Sequence, residues 1–276
     1  MGNGTMLTPK RVNYALPNNE QEIDRLELQH RIWDIMLGGR LNLAPLSRDI
    51  THAIDIGCGT GAWAIEFADA NPNCDVIGAD LSPIQPDVVP RNLTFLVDDA
   101  SAEWTYSTPF DYIHTRAISS GIKDWPAFLE QCFRHLKPGG WVELQEFHLP
   151  FTCDDSSTTP DTAVRTWSAS LTSAIGKAGI DVSAENSYSH PKRLRDVGFI
   201  NVEMINAKWP IGPWARGEKE KRIGALFLKD LEGNVENLSK RIMMGMMGMP
   251  EDEFAKTMEL VLRDIRNSRH HMYMPV

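Results

Sequence analysis

Between residues 20 and 37 the apolar side chains Ile23, Leu26, Trp33 and Leu37 recur in steps of three and four, with His30 on the same stripe, which predicts an amphipathic helix. From residue 53 the period changes. Short apolar runs at residues 53–56, 75–79, 93–97, 110–114 and 141–147 read as strands. Residues 62–70 read as a helix between the first two. A second helix lies before the fifth strand, where Trp125, Phe128, Leu129, Cys132, Phe133 and Leu136 recur at helical spacing until Lys137-Pro138-Gly139-Gly140 stops it. The link between the second and third strands carries Pro83, Pro86 and Pro90 and has room for a short helical turn at most. Strands alternating with helices call for a parallel sheet, because each parallel pair needs a crossover.

Beyond residue 150 the alternation stops. A Ser/Thr/Asp-rich stretch at residues 152–162 precedes helical sequence at 163–179, a strand expected at 200–205, and a Pro/Trp loop at 209–214. The remainder reads as helical and closes on Phe254, Met258, Val261, Leu262 and Ile265 along one face. The expected organisation is an arm at residues 1–19, a binding core at 20–150, and, at 151–276, cap helices on the substrate side with the remaining strands of the same domain.

Composition narrows the class. The chain has 276 residues, 42% hydrophobic and 24% charged, the balance of a globular protein with a substantial core. Its 28 Lys and Arg face 37 Asp and Glu and are scattered, so nucleic acid is not an expected partner. The one basic cluster, Lys192-Arg193-Leu194-Arg195, reads as a solvated helix face. Cys58, Cys74, Cys132 and Cys153 stand far apart without ligand spacing, so neither a metal site nor a disulfide framework is expected. Without a signal stretch or a long apolar run, no membrane association is expected either, and the expected location is the cytoplasm.

The chemistry concentrates where the first strand runs through Asp55-Ile56 into Gly57-Cys58-Gly59-Thr60-Gly61. Glycines at alternate positions let the chain turn tightly and let a ligand touch main chain where a Cβ would collide. Asp80 ends the second strand, where a carboxylate can accept both ribose hydroxyls of an adenosine. The spacing is Gly-x-Gly-x-Gly rather than Gly-x-Gly-x-x-Gly. Asp55 would repel a pyrophosphate but can help organise an ammonium, so S-adenosyl-L-methionine is favoured over a dinucleotide. Asp98-Asp99-Ala100 closes the third strand. There Asp99, ahead of Asp98, can accept the adenine amino group, or else cap the next turn; Trp104 walls the adenine or belongs to the core.

Tyr14-Ala15-Leu16-Pro17-Asn18, Glu22-Ile23-Asp24-Arg25-Leu26, Gln29-His30, the glycine loop, Asp80-Leu81-Ser82-Pro83-Ile84-Gln85-Pro86, Asp98-Asp99-Ala100, Glu103-Trp104, residues 110–116 and Leu136-Lys137-Pro138-Gly139-Gly140 together resemble the LaeA-like methyltransferases of filamentous fungi. The resemblance covers residues 13–150 strongly. It implies an α/β class I methyltransferase fold, Rossmann-like and doubly wound around a mostly parallel seven-stranded sheet, with an N-terminal helix and a helical C-terminal elaboration. It also implies S-adenosyl-L-methionine as cofactor, with Tyr14, Gly57, Gly59, Asp80, Asp99 and His114 around it. Members methylate fungal secondary metabolites or regulate their production. The expected acceptor is therefore a small molecule methylated at oxygen or nitrogen. The alternative is a regulator acting through protein partners, nuclear in that case.

Transfer from a sulfonium is an in-line displacement, and a protonated acceptor gains from a general base. His114, ending the fourth strand, is the first candidate, either as base or as a positioning group; Glu146 and His148, near the end of the fifth, are the second. Arg116 can hold an anionic acceptor or pair with a nearby acid. The methionine-rich run at residues 242–249, with Met246 and Met247, either lines a pocket or packs a C-terminal helix.

Overall fold

The apolar run around Ile54 forms the middle strand of the central sheet. The computed structural model describes residues 20–276, so the expected arm at 1–19 and Tyr14 lie outside the described residues. Helix α1 (Glu20–Leu37) precedes β1 (His52–Ile56), α2 (Ala62–Ala70), β2 (Asp75–Asp80), β3 (Leu93–Val97), β4 (Phe110–Arg116), α3 (Trp125–His135) and β5 (Leu136–Gln145). The five strands are all parallel, in the order β3-β2-β1-β4-β5. The chain steps outward from β1 through β2 to β3, then returns to the other side of β1 for β4. The sheet therefore reverses its winding between β1 and β4, and its carboxyl ends diverge there into a crevice.

Strand alternation sends successive β4 side chains to opposite faces. Tyr112 packs with Trp63 and Phe67 of α2, while Ile113 joins Trp125, Phe128 and Leu129 of α3. Helix α3 starts cleanly because Asp124 accepts a hydrogen bond from Ala127 N at 3.0 Å and Pro126 occupies the first turn. It stops at His135, and β5 begins at Leu136, earlier than residue 141, because Leu136 already pairs with Phe110. The Pro138-Gly139-Gly140 step is absorbed as a shift of register between Phe110 and Tyr112.

After β5 come β6 (Thr152–Cys153), α4 (Ala163–Lys177), α5 (Ala184–Tyr188), α6 (His190–Val197), β7 (Lys208–Pro210), α7 (Glu218–Lys240), a π-helical turn (Arg241–Met246), α8 (Glu251–Ile265) and β8 (Met272–Pro275). A second large core gathers Trp167, Trp209, Phe227, Phe254 and Met258 with Ile32, Trp33 and Leu37 of α1. Helix α6 instead lays Leu194 and Val197 against the α3 side of the sheet.

Three expectations are corrected. Among the described residues the central sheet has five strands, not seven. Strands β6, β8 and β7 form a separate antiparallel sheet that places a strand after α8 and takes up Trp209 and Pro210, while residues 211–214 form the expected loop. The expected strand at residues 200–205 runs outside any ladder, leaving Ile200 80% and Ile205 64% exposed. An alternating pattern becomes a strand only where a neighbour offers its N–H and C=O groups, and no described strand pairs with this segment. No helix of the described residues is long and apolar enough to cross a membrane.

Candidate functional site: a cleft over the glycine loop

The turn after β1 depends on its glycines. Gly57, Gly59 and Gly61 have φ of 71°, 56° and 80°, where a side chain is strained. A Cβ at Gly57 would lie 2.4 Å from Ile118 Cγ2, and one at Gly61 would lie 2.2 Å from Phe95 Cζ. Gly59 is different: the nearest atom to its Cβ position is Leu26 Cδ1 of α1, at 3.6 Å. Two glycines are therefore required by neighbours, while at the third a Cβ would make only an ordinary contact. The loop is pinned to β2, with Gly57 N and Cys58 N both donating to Ala79 O at 2.8 and 3.1 Å.

Asp80, 7% exposed, turns its carboxylate back onto main chain. Its Oδ2 accepts from Gly59 N and its Oδ1 from Ser82 N, each at 2.8 Å. Burial raises its pKa, while the hydrogen bonds from Ser82 and Gly59 oppose that shift. Asp98 Oδ1 accepts from Asp99 N, and Asp98 Oδ2 accepts the Tyr106 hydroxyl at 2.7 Å. Asp99 Oδ1 accepts from Ser101 N at 2.9 Å, the turn-capping geometry that competed with adenine contact in the sequence.

Together these groups edge a cleft of about 660 Å³, counting the part open to solvent. Gly57, Asp80, Leu81, Asp98, Asp99 and Ala100 line one part; Trp104, Tyr106, Ala117, Ile118 and Ile122 line another. An apolar slot with several carboxylates along its rim suits an adenosine, whose ring wants apolar walls and whose hydroxyl and amino groups want acceptors. Trp104, fixed by its Nε1 donating to Ala100 O at 3.1 Å, both walls the cleft and packs on Phe128.

Other expected residues lie off the cleft. His114 is fully buried, with Nδ1 2.7 Å from Asp55 Oδ1 and its ring stacked 3.7 Å from that of Trp63. The two residues are cross-strand partners on β4 and β1, so the pair braces the sheet just before the glycine loop. Cys58 does not line the cleft, and burial among Asp55 and Asp80 raises its thiol pKa. Arg116 is committed to structure: its Nε donates to Gln145 Oε1 at 2.8 Å, its guanidinium approaches His30 Nδ1 at 3.0 Å, and it sits over the Trp33 ring.

Glu146 accepts from Ile118 N, Ser119 N and Ser119 Oγ, and so holds the segment that walls the cleft. His148 Nδ1 lies 3.0 Å from Ser187 Oγ, and burial lowers its pKa to about 4. Met246 and Met247 are exposed beside the second core and line no part of the cleft, whereas Met243 of the same turn is buried in that core. Among the lining residues missed in the sequence are Tyr106, Ala117, Ile118 and Ile122. The loop after β4 could have been found from its place at the winding reversal; Tyr106 carries no local signal.

With the geometry in place, comparisons are decisive. A family described as a methyltransferase domain matches residues 11–198. The chain is 35% identical over 244 residues to methyltransferase pytC of Aspergillus terreus, covering 88% of this chain and 75% of that protein. It is 31% identical to the probable methyltransferase tdiE of Emericella nidulans, covering 94% and 81%. The chain is a LaeA-like class I methyltransferase. Secondary metabolism regulator LAE1 of Cochliobolus heterostrophus is 33% identical over 82% of this chain and 75% of its own length. The fold is also that of the YcgJ protein of Bacillus subtilis, at TM-score 0.51 and 15% identity over 89% of this chain and 95% of that one. This LaeA-like methyltransferase uses S-adenosyl-L-methionine, which the carboxylate-rimmed adenosine slot fits.

Proposed function

We propose that this methyltransferase methylates a small-molecule secondary metabolite at oxygen or nitrogen. The observation that carries the reading is the 35% identity to methyltransferase pytC, above the 33% to the regulator LAE1. S-adenosyl-L-methionine, when bound, supplies an electrophilic methyl group. On this reading Gly57 offers main chain to the cofactor, Cys58, Gly59 and Gly61 shape the turn behind it, and Asp80 accepts the ribose hydroxyls. Asp99 or Asp98 takes the adenine amino group, beside Leu81 and Ala100. Asp55 and His114 stiffen the strand ends beneath. His148, buried beside Ser187 and off the cleft lining, is a weaker base than a free imidazole; Glu146 holds the Ile118-Ser119 wall, and Arg116 anchors α1.

Titration with S-adenosyl-L-methionine tests the cofactor half: Asp80→Ala should bind at least about tenfold more weakly, the scale of a lost charged hydrogen-bond acceptor, and equal affinities would sink the assignment. A second reading, a protein acceptor and a regulatory role, is favoured by the similarity to LAE1 and to the protein-methionine methyltransferase laeA of Emericella nidulans, 33% identical over 83% of this chain and 62% of that protein. Methyl-labelled cofactor incubated with fungal extract separates the two. Label in the small-molecule fraction supports the first reading, and label confined to protein supports the second.

A further inference from the structure

The Pro-rich run after β2 puts Gln85 against the glycine loop. Its Nε2 donates to Gly59 O at 2.6 Å and to Ser82 O at 2.8 Å. Gly59 and Ser82 are also the two residues whose N–H groups donate to the Asp80 carboxylate. Each peptide segment is thus held twice, through its N–H by Asp80 and through its C=O by Gln85. The two side chains close one ring of hydrogen bonds between the loop after β1 and the loop after β2.

Both protons of the Gln85 amide are spent in this way. Pro83 and Pro86 flank the residue and restrict the backbone from which its side chain extends. Gly59 has most need of the tie. It sits at φ 56° with only Leu26 Cδ1 in ordinary contact with its Cβ position, so hydrogen bonds do most to fix its peptide planes.

We infer that Gln85 is a positioning residue: by tying Gly59 to Ser82 it fixes the orientation of the Asp80 carboxylate and of the Gly59 peptide toward the adenosine of the cofactor. The inference rests on the cofactor assignment above. Gln85 does not itself line the cleft and neither does Gly59, so Gln85 acts through Asp80, the member of the ring that does.

The test uses two variants of the full chain. Gln85→Met keeps the length of the side chain and removes the donor; Gln85→Glu keeps its shape and turns a carboxylate onto two carbonyls. Calorimetric titration with S-adenosylhomocysteine should show about tenfold weaker binding for Gln85→Met, and a larger loss for Gln85→Glu. The melting temperature and the acceptor KM at saturating cofactor should stay near native. In the Asp80→Ala background Gln85→Met should cost much less, because its effect passes through Asp80. Native-like affinity of Gln85→Met would overturn the role, as would full additivity with Asp80→Ala. A melting temperature that falls and an acceptor KM that rises along with the loss of cofactor affinity would reduce Gln85 to ordinary structural support. Failure of the native protein to bind S-adenosylhomocysteine would remove the cofactor site, and this role with it.

Discussion

The strand-end half of the molecule and the cap half hold their shape by different means. Around the cleft, main chain does most of the work: glycines at positive φ, N–H groups donating to Asp80, Asp98 and Asp99, and the Ile118-Ser119 peptides donating to Glu146. The cap is held by volume, through an aromatic and methionine cluster in which Trp209 packs edge-on against Trp33 at 5.3 Å and Phe227 at 5.6 Å. Helix α1 belongs to both, with Leu26 over Gly59 and Trp33 in the cap core. A surface that must meet a cofactor atom by atom is made from groups every residue carries. A core that need only exclude water is made from side chains that many sequences can supply.

The strongest test of this division is to damage the cap alone. Phe227, 2% exposed, packs on Phe151 and Trp209. Phe227→Ala should lower unfolding stability by about 3–5 kcal/mol, measured by urea denaturation. The S-adenosylhomocysteine affinity of the folded variant should stay within about twofold of native. A matching loss of affinity would mean that α1 transmits cap packing into the loop and that the halves are not separable.

The converse change strikes the loop. Gly61→Ala would drive a Cβ into the Phe95 ring at a φ of 80° and should cost roughly 1–3 kcal/mol of stability. Cofactor affinity should fall by more than about tenfold, because the whole turn shifts. Phe95→Leu in the same chain should recover part of both. No recovery would show that the backbone angle, rather than the ring, makes Gly61 necessary.

The same division explains what the sequence could and could not disclose. Glycine spacing, a carboxylate ending a strand and a proline-rich connection are local signals, and the five parallel strands and the rim residues Gly57, Asp80, Asp98 and Asp99 were legible from them. The cap was not, because its order depends on which distant surfaces meet. Residues 200–205 carry a fair strand pattern but no described partner strand, while the two-residue β6 and three-residue β7 pair with β8 despite weak patterns. Roles failed where a side chain's direction decided them. His114 and Arg116 occupy the expected strand ends, yet point into the α1 and α2 face rather than into the cleft.

Titration sharpens the comparison at the junction of the halves. Burial raises the Glu146 pKa to about 7, although Ser119 and Ile118 donate to it. The folded state therefore holds this proton more tightly than the unfolded chain, and its contribution to stability is lost as pH rises from about 4.5 to about 7. Burial lowers both His148 and His190 to about 4, so the unfolded chain takes up their protons first. Their contribution rises with pH between about 4 and 6.5, opposing Glu146 over most of the window. Glu146→Gln should strip out the falling part: its stability relative to native should grow by on the order of 1 kcal/mol between pH 4.5 and 7. A difference independent of pH would show that Glu146 does not titrate in this range.

The smallest effect is expected at Ala117, which Glu146 helps to constrain. This residue lines the cleft at φ 57°, a left-handed angle that costs alanine about 1 kcal/mol. It is held there because its N–H donates to Gln145 O at 2.8 Å while the next two peptides donate to Glu146. Ala117→Gly removes the strain but widens the unfolded ensemble, so the net gain should be about 0.5 kcal/mol. The freed wall should weaken S-adenosylhomocysteine binding roughly two- to threefold, a fraction of a kcal/mol, since Asp80 and the glycine loop remain pinned. Loss of stability in denaturant titration would mean that Ala117 sits unstrained. An unchanged S-adenosylhomocysteine affinity would mean that the wall needs no tension to hold its shape.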